Sequence, residues 1–379
     1  MTPSIGLIIN PVAGVGGTVG LKGSDGADVQ AVAFDQGAVA RAAERSQRAL
    51  SVIARTHPDI TILTAAGDMG EISVLAEGLT PEVVYRPSGS ATSGADTTKA
   101  ASALALAGVG LILFAGGDGT ARDICGVDLA GAAVLGVPAG VKMYSACFAV
   151  SPIAAGAIAS RWLTGERLPV SSREVLDVDE EQIRNGRVHA VLYGMLAMPV
   201  VPGRTQSRKS ATSGSQLGAV RTAAAGVVAR MEQGITYVLG PGGTIDEIAR
   251  LLEVDGTLLG ADAVRDGHLV LADATERQLL ELVGAGPSKV VLTVIGGQGF
   301  LLGRGNQQIS AAVLREIGDD PLMVVATQEK LIDLGGRPLL VETGDPELDA
   351  MLAGYVEVVT GPRTTSLYPV DAPESEGPI

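Results

Sequence analysis

Residues 111–120 read Leu111-Ile112-Leu113-Phe114-Ala115-Gly116-Gly117-Asp118-Gly119-Thr120. The large apolar residues at its start predict a buried strand. The glycines then let the chain turn sharply and approach another molecule closely. One carboxylate, Asp118, stands inside that turn. Thr120 is expected to cap a following helix, whose N-terminus favours anions. A phosphate could then lie against backbone N–H groups while the carboxylate faces a hydroxyl or a metal ion. That arrangement suits phosphoryl transfer to an alcohol. A tight strand-to-helix turn with a capping aspartate is the plainer alternative.

Outward from this turn, strand and helix patterns alternate through the first 140 residues. Strands are expected at 4–10, 59–66, 82–88, 110–116 and 132–137, with helices at 38–56, 69–79 and 96–107. Such alternation implies a parallel sheet covered on both faces. Ligands of such sheets bind beyond the carboxyl ends of the strands. Asn10-Pro11, Ala65-Ala66-Gly67-Asp68, Ser88-Gly89-Ser90 and the 116–120 turn all fall at those ends. They should converge on one crevice.

Residues 145–165 read as a helix leaving this domain and ending at Gly165. Two strand-like runs follow, joined by Asn185-Gly186, a strong hairpin signal. Residues 203–216 are polar and serine-rich and carry Arg204, Arg208 and Lys209. They are expected to be a mobile loop, either a plain surface segment or a lid whose cations meet phosphates. Three domain-level segments result: an N-terminal α/β domain over 1–145, a mixed α/β domain rich in strands over 146–370, and an acidic, proline-rich tail over 371–379 expected to be disordered.

The second half holds two more glycine turns. Residues 235–243 run as a strand into Gly240, Gly242 and Gly243, and Thr244 is expected to cap the helix opening there. The turn is either a helix start or a second phosphate contact. Residues 296–306 are dense in glycine and include Arg304 and Asn306. Glycine at that density is costly in a plain strand and makes sense where backbone approaches a ligand or another strand. Arg304 is expected to pair with phosphate as a bidentate donor. Lys142 is a second candidate cation, and Lys22 a weaker third.

Composition narrows the partners. Lys and Arg number 28 against 42 Asp and Glu, giving a net charge of −14. This argues against nucleic acid and anionic membranes as partners. Aromatic residues make up only 3% while hydrophobic residues make up 46%, so the core is built from Ala, Val, Leu and Ile. Cys125 and Cys147 cannot form a disulfide framework, and a reducing compartment follows. The N-terminus has no basic start with an apolar run after it. A cytoplasmic enzyme is expected.

The Gly116–Thr120 pentapeptide resembles the signature of the NAD kinase and diacylglycerol kinase superfamily. Residues 6–23, GLIINPVAGVGGTVGLKG, resemble its opening strand with the Asn10-Pro11 pair. Residues 137–149, 239–264, 296–310 and 337–361 are similar to one branch, the ATP-NAD kinase-like proteins that include the AcoX proteins of acetoin-catabolism operons. The similarity spans about residues 4–370. It implies the fold of that family: a parallel-sheet N-terminal domain and a mixed second domain. It also implies a kinase, dependent on ATP or polyphosphate, that phosphorylates the adenosine-ribose 2′-hydroxyl of NAD with Mg²⁺, forming NADP. Asp118 would activate the hydroxyl. Gly116, Gly117, Gly119 and Thr120 would hold phosphate, with Asn10 beside them. The Gly240–Thr244 turn is similar to the second-domain Gly-Ser/Thr loop of NAD kinases. Partners would be small-molecule nucleotides, and a homo-oligomer is expected. NAD kinases hold the dinucleotide with an asparagine followed by an acidic residue. Here Asn10, Asn185 and Asn306 precede Pro11, Gly186 and Gln307. A kinase of another acceptor and a non-catalytic nucleotide-binding regulator therefore remain alternatives.

Overall fold

A computed structural model describes residues 4–15, 34–35, 38–89, 92–140, 143–178, 190–201, 204–205, 217–295 and 299–372. Its described residues fall into two compact units, 4–205 and 217–372. The division thus lies well beyond the expected 145/146 boundary.

In the first unit, β1 (Ile5–Ile9) leads to α1 (Ala42–Thr56), β2 (Thr61–Ala65), α2 (Glu71–Ala76) and β3 (Thr80–Tyr85). Then come α3 (Gly94–Leu106), β4 (Leu111–Gly116), α4 (Asp118–Cys125) and β5 (Ala133–Pro138). The five strands form one parallel sheet in the order β3-β2-β1-β4-β5. Every residue of β1, β4 and β5 is buried: β1 and β4 lie inside the parallel sheet, and edge strand β5 is covered where Gly136 bridges Phe148. Edge strand β3 is only partly covered and carries Pro81, which an edge tolerates. The chain reverses its direction of travel across the sheet between β1 and β4. That switch point is where α/β sheets open a ligand crevice.

The helix expected over 145–165 is shorter. It is α5 (Pro152–Leu163), with Ser151 as its N-cap and Pro152 in its first turn. Ser151 accepts from the Ala154 N–H at 3.0 Å, and proline suits the first helical position. Residues before it are extended, and Gly136 bridges Phe148 in parallel. Helix α5 ends before Gly165, whose φ of +78° is the left-handed stop that sequence suggested. Strands β6 (Val170–Val178) and β7 (Ala190–Pro199) pair antiparallel as the expected hairpin. Its Asn185-Gly186 turn lies outside the described residues. So do Arg208, Lys209 and most of the 203–216 loop. The loop's beginning is anchored: Thr205 is buried and bridges Ala149.

The second unit contains α6 (Leu217–Val228), β8 (Thr236–Leu239), α7 (Gly243–Leu251), β9 (Asp262–Arg265), β10 (His268–Leu271) and α8 (Glu276–Val283). It continues with β11 (Ser288–Thr293), α9 (Ala311–Ile317), β12 (Leu322–Val325), α10 (Gln328–Asp333) and β13 (Leu339–Leu340). Helix α11 (Pro346–Leu352) and strands β14 (Gly354–Gly361) and β15 (Thr364–Asp371) complete it. Its eight strands form a mixed sheet in the order β10-β9-β8-β11-β12-β14-β15-β13. Alternation along the central strands splits the core. Val238, Val290, Leu292 and Val324 join one cluster, while Tyr237, Leu239, Val291 and Val325 face α6 and α7 in the other. Asp371 belongs to β15 and Ala372 is buried. The tail expected from 371 therefore starts no earlier than 373, and residues 373–379 lie outside the described residues.

Candidate active site

The carboxyl ends of β1 and β4 meet at the switch point of the first sheet. Asn10, directly after β1, donates its backbone N–H to Ala115 at 2.9 Å. Its side-chain Nδ2 donates to Thr120 Oγ1 at 3.0 Å. The expected convergence of these two turns is thus made by a hydrogen bond. Thr120 is not a cap. Helix α4 starts at Asp118 with Gly117 as its N-cap residue, so Thr120 lies one turn too far in and serves as the partner of Asn10.

The glycines have packing roles. A Cβ on Gly116 would lie 2.3 Å from Thr120 Oγ1. A Cβ on Gly117 would lie 3.2 Å from Gly140 Cα, and one on Gly140 would lie 2.7 Å from Gly117 Cα. The turns after β4 and β5 therefore touch backbone to backbone. Arg45, buried on α1, donates from Nε to the Pro138 carbonyl at the end of β5. Lys142 lies outside the described residues.

Asp118 is 6% exposed. Its carboxylate accepts the Tyr144 N–H at 2.5 Å and the Ser145 N–H at 3.0 Å. It does not cap its own helix. Burial pushes its carboxyl up to about 7, against these hydrogen bonds, which favour the ionised form; the nearby Asp177 raises it further. A carboxyl titrating near neutrality at a sheet switch point is suited to taking a proton from an alcohol.

In the second unit, helix α7 starts at Gly243 with Gly242 as its N-cap at φ +127°. Thr244, expected as the cap, is instead buried within the first turn. Its Oγ1 lies 3.4 Å from Lys330 Nζ. That ammonium also donates to the Val294 carbonyl at 3.3 Å and lies 3.5 Å from Thr293 Oγ1. Lys330, from α10, thereby brings a cation to the carboxyl ends of β8, β11 and β12. Sequence reading missed it, because no motif surrounds it and only the strand order brings it to the glycine turn. Gly240 is held close by the sheet: its N–H donates to Val291 at 3.0 Å.

Arg304 and Asn306 do not serve as expected. Arg304 is 4% exposed and pairs with fully buried Glu342 at 2.6 Å. Its guanidinium stacks 4.5 Å above the Phe300 ring. Asn306 accepts the Gly303 N–H at 3.0 Å and donates to the Leu301 carbonyl at 2.7 Å. Both side chains build their own loop from inside. Gly303, at φ +88°, supplies the bend that lets the loop close on Glu342. The glycine density reflects this folding-in. Residues 296–298 lie outside the described residues.

A parallel sheet with a buried carboxylate at its switch point is followed in the chain by a mixed-sheet unit. The ATP-NAD kinase N-terminal domain family matches residues 5–167, and the ATP-NAD kinase C-terminal domain family matches residues 232–370. The chain belongs to the ATP-NAD kinase-like family and is a phosphotransferase acting on an alcohol group. No curated protein and no solved structure matched it. Among the described residues, no helix is long and apolar enough to cross a membrane.

Proposed function

We propose that this kinase transfers phosphate from ATP to the adenosine-ribose 2′-hydroxyl of NAD, forming NADP. The observation that carries the reading is Asp118: buried, titrating near 7, and held at the switch point by backbone donors. In the reaction, Asp118 accepts the hydroxyl proton. The hydroxyl oxygen then forms a bond to the γ-phosphorus while the bond to the β-phosphate oxygen breaks, releasing ADP. A base with pKa near the working pH combines a useful ionised fraction with proton affinity. The donor phosphates lie along Gly116, Gly117, Gly119 and Thr120, at the N-terminus of α4. Within the second unit, the Gly240–Thr244 turn with Lys330 beside it is the candidate phosphate contact.

Mg²⁺ fits this scheme as an ion carried by the donor. Among the described residues no three His, Cys, Asp or Glu side chains gather to hold a metal. Magnesium commonly binds through substrate phosphates and one or two carboxylates. When bound it neutralises charge on the donor phosphates.

One specific observation keeps a second acceptor in view. None of the three asparagines precedes an acidic residue. The test is incubation with Mg-ATP, or with polyphosphate, against NAD and a panel of nucleosides and small alcohols. Mass spectrometry then identifies products. A product heavier than NAD by one phosphoryl group is expected. Product from another acceptor, with none from NAD, overturns the NAD assignment. No product from any pairing would favour the nucleotide-binding regulator.

A further inference from the structure

The β6–β7 hairpin has no part in the sequence reading of the site, yet Asp118 is tied to it twice. The first tie runs through Ser145, which is fully buried. Its Oγ donates to the Leu176 carbonyl at 2.8 Å and accepts the Leu176 N–H at 3.0 Å. Leu176 lies where the β6–β7 register shifts, and a bulged residue needs partners outside its ladder. The neighbouring Ala146 N–H donates to Glu174 at 3.0 Å. The segment is stapled to β6, and from there the Ser145 N–H reaches Asp118.

The second tie runs through the next residue of β6. Asp177 pairs at 2.6 Å with Arg122, one turn beyond Asp118 on α4. The Arg122 guanidinium also lies 5.7 Å from the Tyr193 ring on β7. One hairpin thus holds both the helix that carries the carboxylate and the segment that hydrogen-bonds it.

We propose that Ser145 and Asp177 are positioning residues through which the β6–β7 hairpin holds the Asp118 carboxyl in its reacting orientation. The proposal rests on the reading of Asp118 as the base. The surroundings make it specific. Strands β1, β4 and β5 carry no ionisable side chain. Tyr144 is pushed up to about 12 by burial, and Cys147 is raised well above its usual range, so both are neutral. The formal charges of this arrangement are Arg122, Asp177 and Asp123, which also pairs with Arg122 at 3.7 Å, together with buried Arg45 at the end of β5. Removing the Asp177 charge should lower the Asp118 pKa, because Asp177 raises it and Arg122 loses its 2.6 Å ion pair. Removing the Ser145 hydroxyl should raise it, because without the bonds to Leu176 the Ser145 N–H is no longer held against the carboxylate whose ionised form it favours.

The test follows the Asp118 carboxyl by carbon-13 NMR titration in the unliganded full chain, beside the pH profile of kcat/KM. The variants are Ser145→Ala, Asp177→Asn and Asp177→Glu. The midpoint should move to higher pH in Ser145→Ala and lower pH in Asp177→Asn, with Asp177→Glu near wild type. The acid limb of activity should move with it. A displacement of one pH unit changes the ionised fraction at pH 6 by about five- to tenfold. An unmoved midpoint in both variants, or a shift of the same sign in both, overturns the proposal. Should Ser145→Ala fail to fold, the Asp177 pair decides alone. The carboxyl titration is independent of turnover. Opposite shifts in a protein that phosphorylates nothing would sink the kinase reading and leave the positioning intact.

Discussion

The glycine turn after β4 and the glycine-dense segment ending at Asn306 use the same residue types to different ends. In the first, glycines bring the backbone of residue 117 against that of residue 140. They leave a carboxylate held by backbone donors and pushed up to about 7. In the second, the polar residues turn inward, and Arg304 is consumed by Glu342. Glycine density reports close backbone approach in both. Only the first leaves a titratable group whose burial is not offset by an opposite charge. That uncompensated cost separates a site from a well-packed loop.

The largest effect should come from Asp118→Asn. Loss of a general base costs on the order of 10²–10⁴-fold in turnover, read as product formation with the true acceptor. Near-wild-type turnover would erase the distinction between the two loops. A stability measurement sharpens it. The folded pKa of about 7 lies above the ordinary carboxylate value of 3.8. The contribution is therefore fully present below about pH 4 and is lost as pH rises toward 7. The total is of order 4 kcal/mol across that window. Asp118→Asn lacks this dependence, although its amide must face one of the two N–H donors. The stability of wild type relative to the variant in denaturant unfolding should fall from about pH 4 to 7 and then level off. A constant difference would mean the carboxyl titrates normally.

Arg304→Ala should act on the fold instead. Breaking a buried ion pair by removing one partner costs about 3–5 kcal/mol. Nucleotide affinity per folded molecule should stay near wild type by calorimetric titration. A stable variant with weakened nucleotide binding would restore Arg304 as a phosphate ligand. Gly140→Ala should cost about 1–3 kcal/mol through overpacking against Gly117, measured by thermal unfolding. An unaffected melting temperature would show that the two turns do not need their contact.

Much of the first unit was legible because its signals are local. Five apolar runs, with helix patterns between the first four, specify a parallel sheet, and each observed strand lies within a few residues of its expected place. Asn10 and the 116–120 turn could be placed together because strand-end geometry follows from topology alone. Ser145, Asp177 and Lys330 could not be found in that way. Ser145 matters through a register shift in a distant hairpin, Asp177 through a helix it reaches across the fold, and Lys330 through the order of strands in a mixed sheet. The failure at Arg304 has the same source. An arginine among glycines reads as a phosphate ligand until Glu342, far along the chain, is brought beneath it. The two threonine caps failed for a smaller reason: glycine took the cap position three residues before Thr120 and two before Thr244.

The smallest effect tests the turn that lies between these extremes. Gly243 opens α7 in ordinary helical space, and a Cβ there would meet nothing within 4 Å. Gly243→Ala should therefore stabilise the second unit by about 0.4–1 kcal/mol, chiefly by restricting the unfolded chain. That same open space is where a phosphate would approach the helix N-terminus beside Lys330. If the Gly240–Thr244 turn binds nucleotide, the added methyl group should weaken binding several-fold while the melting temperature rises. Stability and affinity would then move in opposite directions, which no packing defect produces. A variant that is more stable and binds nucleotide as tightly as wild type would place this turn with the segment around Arg304, as backbone folded closely for its own sake.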